Sequence, residues 1–409
     1  MADMMTRIGQ MTAQVMKDVW QDAEGLPEAE EIRRLLAVPP DANLGEYAFP
    51  CFRLSKALRM APPKIAQTLA ENWKGEEVAR AVAVNGYLNF FLNRVNFARE
   101  TLHQVLSAGE DFARDTMGQG KTVCIDYSSI NIAKRFHIGH LSTTMMGNAL
   151  KRIYDHLGYK TVGINHLGDW GTQFGKMICA FKRWGNREEV ERGGVAALSE
   201  LYVRFHQEEE KHPELEEEGR AWFKRIEDGD EEALSLFTWF KELTLRDTDR
   251  VYKLLGVTFD SYAGESFYND KMQIVIDTLR EKGLLEESKG AMVVNLEPYD
   301  MPPCLILKAD GATLYATRDL AAAIYRQNTY HFDKCLYVVA YQQDLHFRQV
   351  FKVLELMDYP WAKDCVHVAF GMISYEGQAL ATRKGHVVFL EELLDQAQQK
   401  ALDIIREKS

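Results

Sequence analysis

The chain has 409 residues, 46% of them hydrophobic and 27% charged, with a formal net charge of −11. Those figures describe a globular protein of two or three domains, and they exclude a surface that is basic throughout, so any nucleic-acid partner must be met by a local basic face. Six cysteines (Cys51, Cys124, Cys179, Cys304, Cys335 and Cys365) form no C-x-x-C pair, which argues against structural zinc; Cys124 and Cys335 lie in apolar runs, as small hydrophobes do in a reducing compartment. With no apolar run of about 18 residues and no signal-peptide core at the N-terminus, the sequence reads as cytoplasmic, with no membrane partner.

Residues 1 to about 110 read as helices with a few short strands. "ARAVAVNGYLNFFL" (79–92) predicts a hairpin turning at Asn85-Gly86. The polar, glycine-bearing segment 107–121 marks a domain boundary. "TVCIDYS" then predicts a strand, and 138–157 a helix with Ile138, Leu141, Met145, Leu150, Ile153 and Leu157 on one broad face. A second strand follows at 160–168 and a further helix after Trp170, an alternation that argues for a parallel sheet covered by helices. Residues 184 to about 280 are acidic and helix-forming and read as a solvated helical insertion. Alternation returns with "CLYVVA" (335–340), a helix over 345–357, "VHVAFGMIS" (366–374) and a helix from about 389.

The run "NIAKRFHIGH" (131–140) joins the first of these strands to its helix. A helix N-terminus offers backbone N–H donors and a positive dipole end, which favour phosphate. Gly139 permits close approach, Lys134 adds a fixed charge, and His137 and His140 can donate hydrogen bonds to phosphate oxygens whose charge grows during attack at phosphorus. Metal ligation by the two histidines lacks an evident third and fourth ligand, while H-x-G-H taken alone is also compatible with a structural turn.

The flanking residues narrow this. "SSINIAKRFHIGHL", "NHLGDWGTQFG" (165–175), "DGATLYATRDLAAAIYR" (310–326), "YVVAYQQDLHF" (337–347) and "TRKGHVVFLEELL" (382–394) together resemble arginyl-tRNA synthetases, and "NLGEYAFPCFRLSKALRMAPPKIA" and "GYLNFFL" resemble that family's N-terminal domain. The resemblance covers nearly the whole chain. It implies an α/β fold: a class I synthetase, Rossmann-like (HUP-type) parallel sheet with a helical insertion, preceded by an α+β N-terminal domain. The implied domains are an N-terminal one over 1–112 that contacts the tRNA elbow, a catalytic one over 113–385 with the insertion at about 184–280, and at 386–409 the start of a linker toward an anticodon-binding domain that the chain lacks. The implied reaction joins L-arginine to ATP as arginyl-adenylate and passes it to tRNA(Arg), with Mg²⁺ entering bound to ATP, no zinc, and a monomeric protein.

Residue by residue, the resemblance assigns catalysis to His137, His140 and Lys134, and ATP binding to His137, Gly139, His140, Met372, Thr382, Arg383 and Lys384. It assigns the substrate arginine to Asp126, Ser128, Asn131, His137, Tyr315, Asp319 and Gln343, with Asp126 and Asp319 facing the guanidinium and Tyr315 stacking on it. Tyr47, Phe49 and Arg53 are the expected tRNA contacts of the N-terminal domain. Asp169, Trp170 and Gln173 fall at a sheet edge where ligands bind, or else form a capped helix start with a core tryptophan. Three positions depart from the family pattern: Asp126 replaces a glutamate, Ile130 a proline, and Ala379 the first lysine of the KMSKS-like run "ALATRKG" (379–385), which makes Lys134 the substitute charge. Two rival readings stand beside this one: another nucleotidyltransferase on the same scaffold, and a catalytically silent tRNA-binding fragment or paralogue.

Overall fold

The computed structural model describes residues 4–309, 313–371, 374–375, 378–379 and 390–408. The chain divides into two compact units, Met1–Ala113 and Arg114–Ser409.

In the first unit, helices α1 (Met4–Val19) and α2 (Ala29–Leu35) pack together through Gly9, where a Cβ would meet the backbone of Ala29 and Arg33. Strand β1 (Tyr47–Pro50) leads through the short helix α3 (Ser55–Leu58) to α4 (Pro62–Glu71), which starts on two prolines, where no backbone N–H is needed. Strands β2 (Val78–Val84) and β3 (Tyr87–Leu92) form the hairpin expected from Asn85-Gly86, whose φ values of 49° and 84° suit a type I′ turn. The antiparallel sheet runs β1-β3-β2, and its core gathers Ile8, Met16, Ile32, Phe49, Leu69 and Phe90. Helix α5 (Arg94–Ala108), capped by Asn93, completes the unit.

The second unit is built on β4 (Thr122–Asp126), α6 (Ile138–His156), β5 (Lys160–Ile164) and α7 (Thr172–Trp184). Helices α8 (Arg187–Glu209), α9 (Glu214–Glu227) and α10 (Glu231–Leu255) follow, then α11 (Met272–Glu281) and an antiparallel sheet of β6 (Leu285–Ser288), β7 (Ala291–Val294) and β8 (Cys304–Leu307). Helix α12 (Tyr315–Tyr330), β9 (Lys334–Ala340), α13 (Asp344–Leu356) and β10 (Cys365–Phe370) restore the alternation. The strand pair β11 (Ser374–Tyr375) and β12 (Gln378–Ala379) and helix α14 (Leu390–Lys408) close it.

The main sheet is parallel with strand order β10-β9-β4-β5. The chain leaves β4 toward β5 and later returns on β4's other side as β9, so a crevice opens beyond the carboxyl ends of β4 and β9. In open α/β sheets that switch point is where ligands bind.

Two sequence expectations are corrected. The buried face of α6 is not the apolar stripe: Ile153 is 54% exposed, and Thr143, Thr144, Gly147 and Asn148 are buried instead. Small residues are required because α6 runs close to the chain leaving β4; a Cβ at Gly147 would strike the Tyr127 ring, and Thr143 Oγ1 donates to the carbonyl of Val338 (2.6 Å). Nor is the insertion merely solvated, since its Leu198, Phe237, Phe240 and Leu243 share a core with Phe174 and Ile178 of α7 and with Ile130, Ile132, Ala133 and Leu167. The crossing of α7 and α9 depends on Gly175, where a Cβ would overlap the carbonyl of Gly219 and the amide of Phe223. We expect Gly175→Ala to separate these helices and cost about 3 kcal/mol, read as a lower denaturation midpoint; an unchanged midpoint would contradict the packing described.

Candidate active site

The loop from β4 to α6 carries an unusual backbone. Ser128, Ser129 and Ala133 all have positive φ (70°, 46° and 61°), a region non-glycine residues seldom occupy and one that persists only where surroundings enforce it. Those surroundings are visible: Ser128 N–H donates to Thr143 Oγ1 (3.1 Å), Ser128 Oγ meets Tyr252 Oη (2.7 Å) and Thr144 Oγ1 (2.8 Å), and Ala133 N–H donates to Thr244 Oγ1 (3.0 Å). Helix α10 of the insertion therefore holds the loop in shape. Ser128, expected at the substrate arginine, is buried with its hydroxyl engaged by Tyr252 and Thr144.

His137 and His140 cap α6 reciprocally. Gly139 N–H donates to His137 Nδ1 (3.1 Å), His137 N–H donates to His140 Nδ1 (3.3 Å), and the two rings stack with centroids 3.8 Å apart. Burial lowers the pKa of both imidazoles, His140 to about 3, with the charge of Lys134 acting in the same direction. Both rings are thus neutral, and because each Nδ1 accepts, each Nε2 carries the proton. The pair is a set of two fixed Nε2–H donors, with Lys134 close enough to be felt by both.

A second cluster surrounds the end of β4. Asp126 is 6% exposed; its Oδ1 accepts from Ser129 Oγ (2.8 Å) and its Oδ2 pairs with Arg326 Nη2 (2.7 Å), while Arg326 on α12 is 1% exposed. Asp126, expected to face a substrate guanidinium, here holds the guanidinium of Arg326. Arg326 Nη2 also approaches His166 Nδ1 (3.3 Å), and burial lowers the pKa of His166. Asp319 lies two helical turns before Arg326, on the same face of α12. Burial pushes its carboxyl up, yet the hydrogen bond from His346 Nε2 (2.6 Å), with the charges of His346, His166 and Arg326, leaves it lowered and ionised.

The remaining expected residues are placed as follows. Tyr315 opens α12 and is 70% exposed, while Gln343 is exposed just past β9. Asn131 forms a bridge with Gly168, where a Cβ would overlap its Oδ1. Asp169 is fully buried and accepts from Ser266 N (2.8 Å), Ser266 Oγ (2.7 Å) and Lys241 Nζ (2.5 Å), which makes it a structural brace. Phe49 lies in the core of the first unit and cannot contact RNA; Arg53 is exposed there and Tyr47 half-buried. Met372, Thr382, Arg383 and Lys384 lie outside the described residues. Among the described residues no three His, Cys, Asp or Glu side chains are grouped to hold a metal, and no helix is long and apolar enough to cross a membrane.

Arg326, His166 and His346 were not anticipated from the sequence, nor was Glu265 beside them. Glu265 is buried, its carboxylate 3.9 Å from Arg318 Nη1; burial, opposed by Arg318 and reinforced by Asp319 and Asp169, raises its pKa to about 7. Its sequence signal was slight, a lone acid in "YAGESFY". Arg326 carried a signal that went unused, a cation following the alanine-rich run of α12.

Fold and first-helix signature together make the second unit a catalytic domain of a class I aminoacyl-tRNA synthetase: the profile of the family described as tRNA synthetases class I (R), catalytic domain, matches residues 101–409. The profile of the arginyl tRNA synthetase N terminal domain matches residues 8–92. The chain is 57% identical over 381 residues to an arginine–tRNA ligase of Clostridioides difficile, covering 93% of this chain and 67% of the relative. It is 53% identical over 387 residues to an arginine–tRNA ligase of Alkaliphilus metalliredigens, covering 94% and 68%. The Thermus thermophilus arginyl-tRNA synthetase structure shares the fold, with a TM-score of 0.66 at 22% identity, covering 100% of this chain and 71% of that one. The chain belongs to the arginyl-tRNA synthetase family and spans about two thirds of the length of these curated relatives.

The raised pKa of Glu265 has a signed consequence. The folded state holds a proton on this group between about pH 4.5 and 7 that the unfolded chain releases, so its contribution to stability falls as pH rises through that window. We expect Glu265→Gln to raise the melting temperature relative to the parent more at pH 8 than at pH 5; a difference independent of pH would show that the carboxyl is ionised throughout.

Proposed function

We propose that this protein is an arginine–tRNA ligase working in the cytoplasm as a monomer. ATP and L-arginine meet in the crevice beyond β4 and β9. An oxygen of the arginine carboxylate attacks the α-phosphorus of ATP, the bond to the β-phosphate oxygen breaks, and pyrophosphate leaves. The 2′-hydroxyl oxygen of the terminal tRNA ribose then attacks the arginyl carbonyl carbon, AMP departs, and the hydroxyl proton is released.

The observation that carries this reading is the stacked pair His137 and His140 capping α6, each Nδ1 accepting a backbone N–H, which makes Nε2 the protonated nitrogen of each neutral ring. Fixed neutral donors stabilise charge that develops on the phosphate without having to reorganise, an effect worth about 3 kcal/mol for each donor. Lys134 adds positive charge from the same loop, and its influence on both imidazoles supports its nearness. Mg²⁺ entering with ATP would screen the charge of its phosphates.

For the amino acid, Asp319, ionised and oriented by His346, is the carboxylate best fitted to receive the guanidinium, with Tyr315 beside it and Glu265 as a second acid. Asp126 acts alongside, its position fixed by Arg326. Asn131, His137 and Gln343 attend the amino and carboxylate end. Positioning and electrostatics suffice for both steps, with no protein nucleophile.

The test is ATP–pyrophosphate exchange with L-arginine and its tRNA. We expect exchange that depends on both, and a loss of roughly 100-fold in Lys134→Ala, the size of a missing charge-stabilising group. Near-normal exchange in that variant refutes the role of Lys134. Binding of tRNA without any exchange by the parent protein favours the silent module instead.

A further inference from the structure

Helix α13 begins directly after Gln343, and its first turn is tied to the elements on either side. On one side His346 Nε2–H donates to Asp319 Oδ2 on α12 (2.6 Å). On the other, Asp344 Oδ1 lies 3.5 Å from His367 Nδ1 on β10, and His367 Nε2–H donates to the carbonyl of Val339 near the end of β9 (2.9 Å). The His346 ring packs edge-on against the buried ring of Phe347, with centroids 5.4 Å apart. The side chains of Asp319 and His346 nevertheless stay partly exposed, so the pair is not sealed in the core.

We propose that His346 is a positioning residue for arginine: it turns the Asp319 carboxylate toward the substrate guanidinium and is neutral once that cation is bound. The proposal rests on the synthetase reading above. A guanidinium pairs best with a carboxylate whose plane is fixed, because its N–H groups project in parallel. The terminal torsion of an aspartate is broad, so a carboxylate held by its own rotamer alone offers no such plane. The bond from His346 removes that freedom. With Oδ2 engaged, Oδ1 is the oxygen left for the substrate.

Charge carries the second half of the proposal. A guanidinium and an imidazolium on one carboxylate repel each other, so bound arginine favours the neutral ring. The positive end of α13, in whose first turn His346 lies, acts in the same direction. Asp319 on α12 and Asp344 on the same turn favour the imidazolium instead, although Asp344 also faces Arg348 (4.0 Å) and His367. Arg326 and His166 act on Asp319 from behind, and Glu265 and Arg318 are the further charged groups beside it. Arginine arriving at a protonated pair therefore releases a proton. An imidazole changes charge between about pH 5 and 8, so arginine binding tightens as pH rises through that range. Glu265 acts with the same sign, since its ionised form attracts the guanidinium and its acid form does not, and the share of His346 is read from variants of its own.

The experiment follows ATP–pyrophosphate exchange by the full chain, with tRNA present, between about pH 5.5 and 8, with thermal melting as the check on folding. His346→Leu keeps bulk and cannot donate; His346→Gln keeps a neutral donor at the reach of Nε2 and does not titrate. We expect the leucine variant to raise KM for arginine by roughly 10- to 100-fold, the worth of a hydrogen bond to a charged group, and to leave KM for ATP within about twofold of the parent. The glutamine variant should recover most of the arginine KM at the alkaline end of the range and show a flatter pH dependence than the parent. A parent-like KM for arginine in the folded leucine variant overturns the proposal. Equal rises in KM for both substrates, or a glutamine variant no better than the leucine one, overturn it too, by making His346 a structural tie between α12 and α13. A glutamine variant as pH-dependent as the parent overturns the proton release. If the parent shows no arginine-dependent exchange, the synthetase reading itself fails, a result seen before any variant is made.

Discussion

The candidate site depends on one buried ion pair. Asp126 ends the central strand β4, Arg326 lies on α12, and their 2.7 Å contact ties the sheet to the helix that carries Asp319. A buried pair of this kind adds little net stability, because both groups must leave water, but loss of either partner strands a charge at a cost of about 3–5 kcal/mol. Its value here is positional. With Asp126 neutralised by Arg326, the negative charge available in the crevice is concentrated on Asp319, with Glu265 sharing part of it according to pH.

The strained loop after β4 and the insertion form the second dependency. Tyr252 and Thr244 of α10 hold Ser128 and Ala133 in left-handed backbone conformations, and those conformations deliver His137 to the start of α6. The insertion is thereby part of the catalytic framework.

Elements with a clear period were legible in the sequence: the Asn85-Gly86 hairpin, β4, and the run from β9 to β10 fall where alternation and turn chemistry put them. The buried face of α6 was not, because Thr143, Thr144 and Gly147 bury for closeness of approach rather than for hydrophobicity, a requirement set by the strand beneath them. Phe49 was named as a tRNA contact yet lies in the core, because a motif names a neighbourhood without saying which side of a strand faces inward. Ser128 and Asp169 carry the chemistry of ligands, yet their partners, Tyr252, Lys241 and Ser266, lie roughly 70 to 125 residues away in sequence and only folding reveals them. Glu265 gave almost no signal, since its character comes from burial beside Asp319 and Asp169.

The claim on which the rest turns is that ionised, buried carboxylates select a guanidinium. Calorimetric titration of the protein, with tRNA present, by L-arginine and by L-citrulline tests it directly, because citrulline keeps the shape of arginine and lacks the charge. The account predicts that arginine binds roughly 100-fold more tightly or better, the worth of charge-assisted hydrogen bonds in a desolvated site. Comparable affinities for the two amino acids would contradict it.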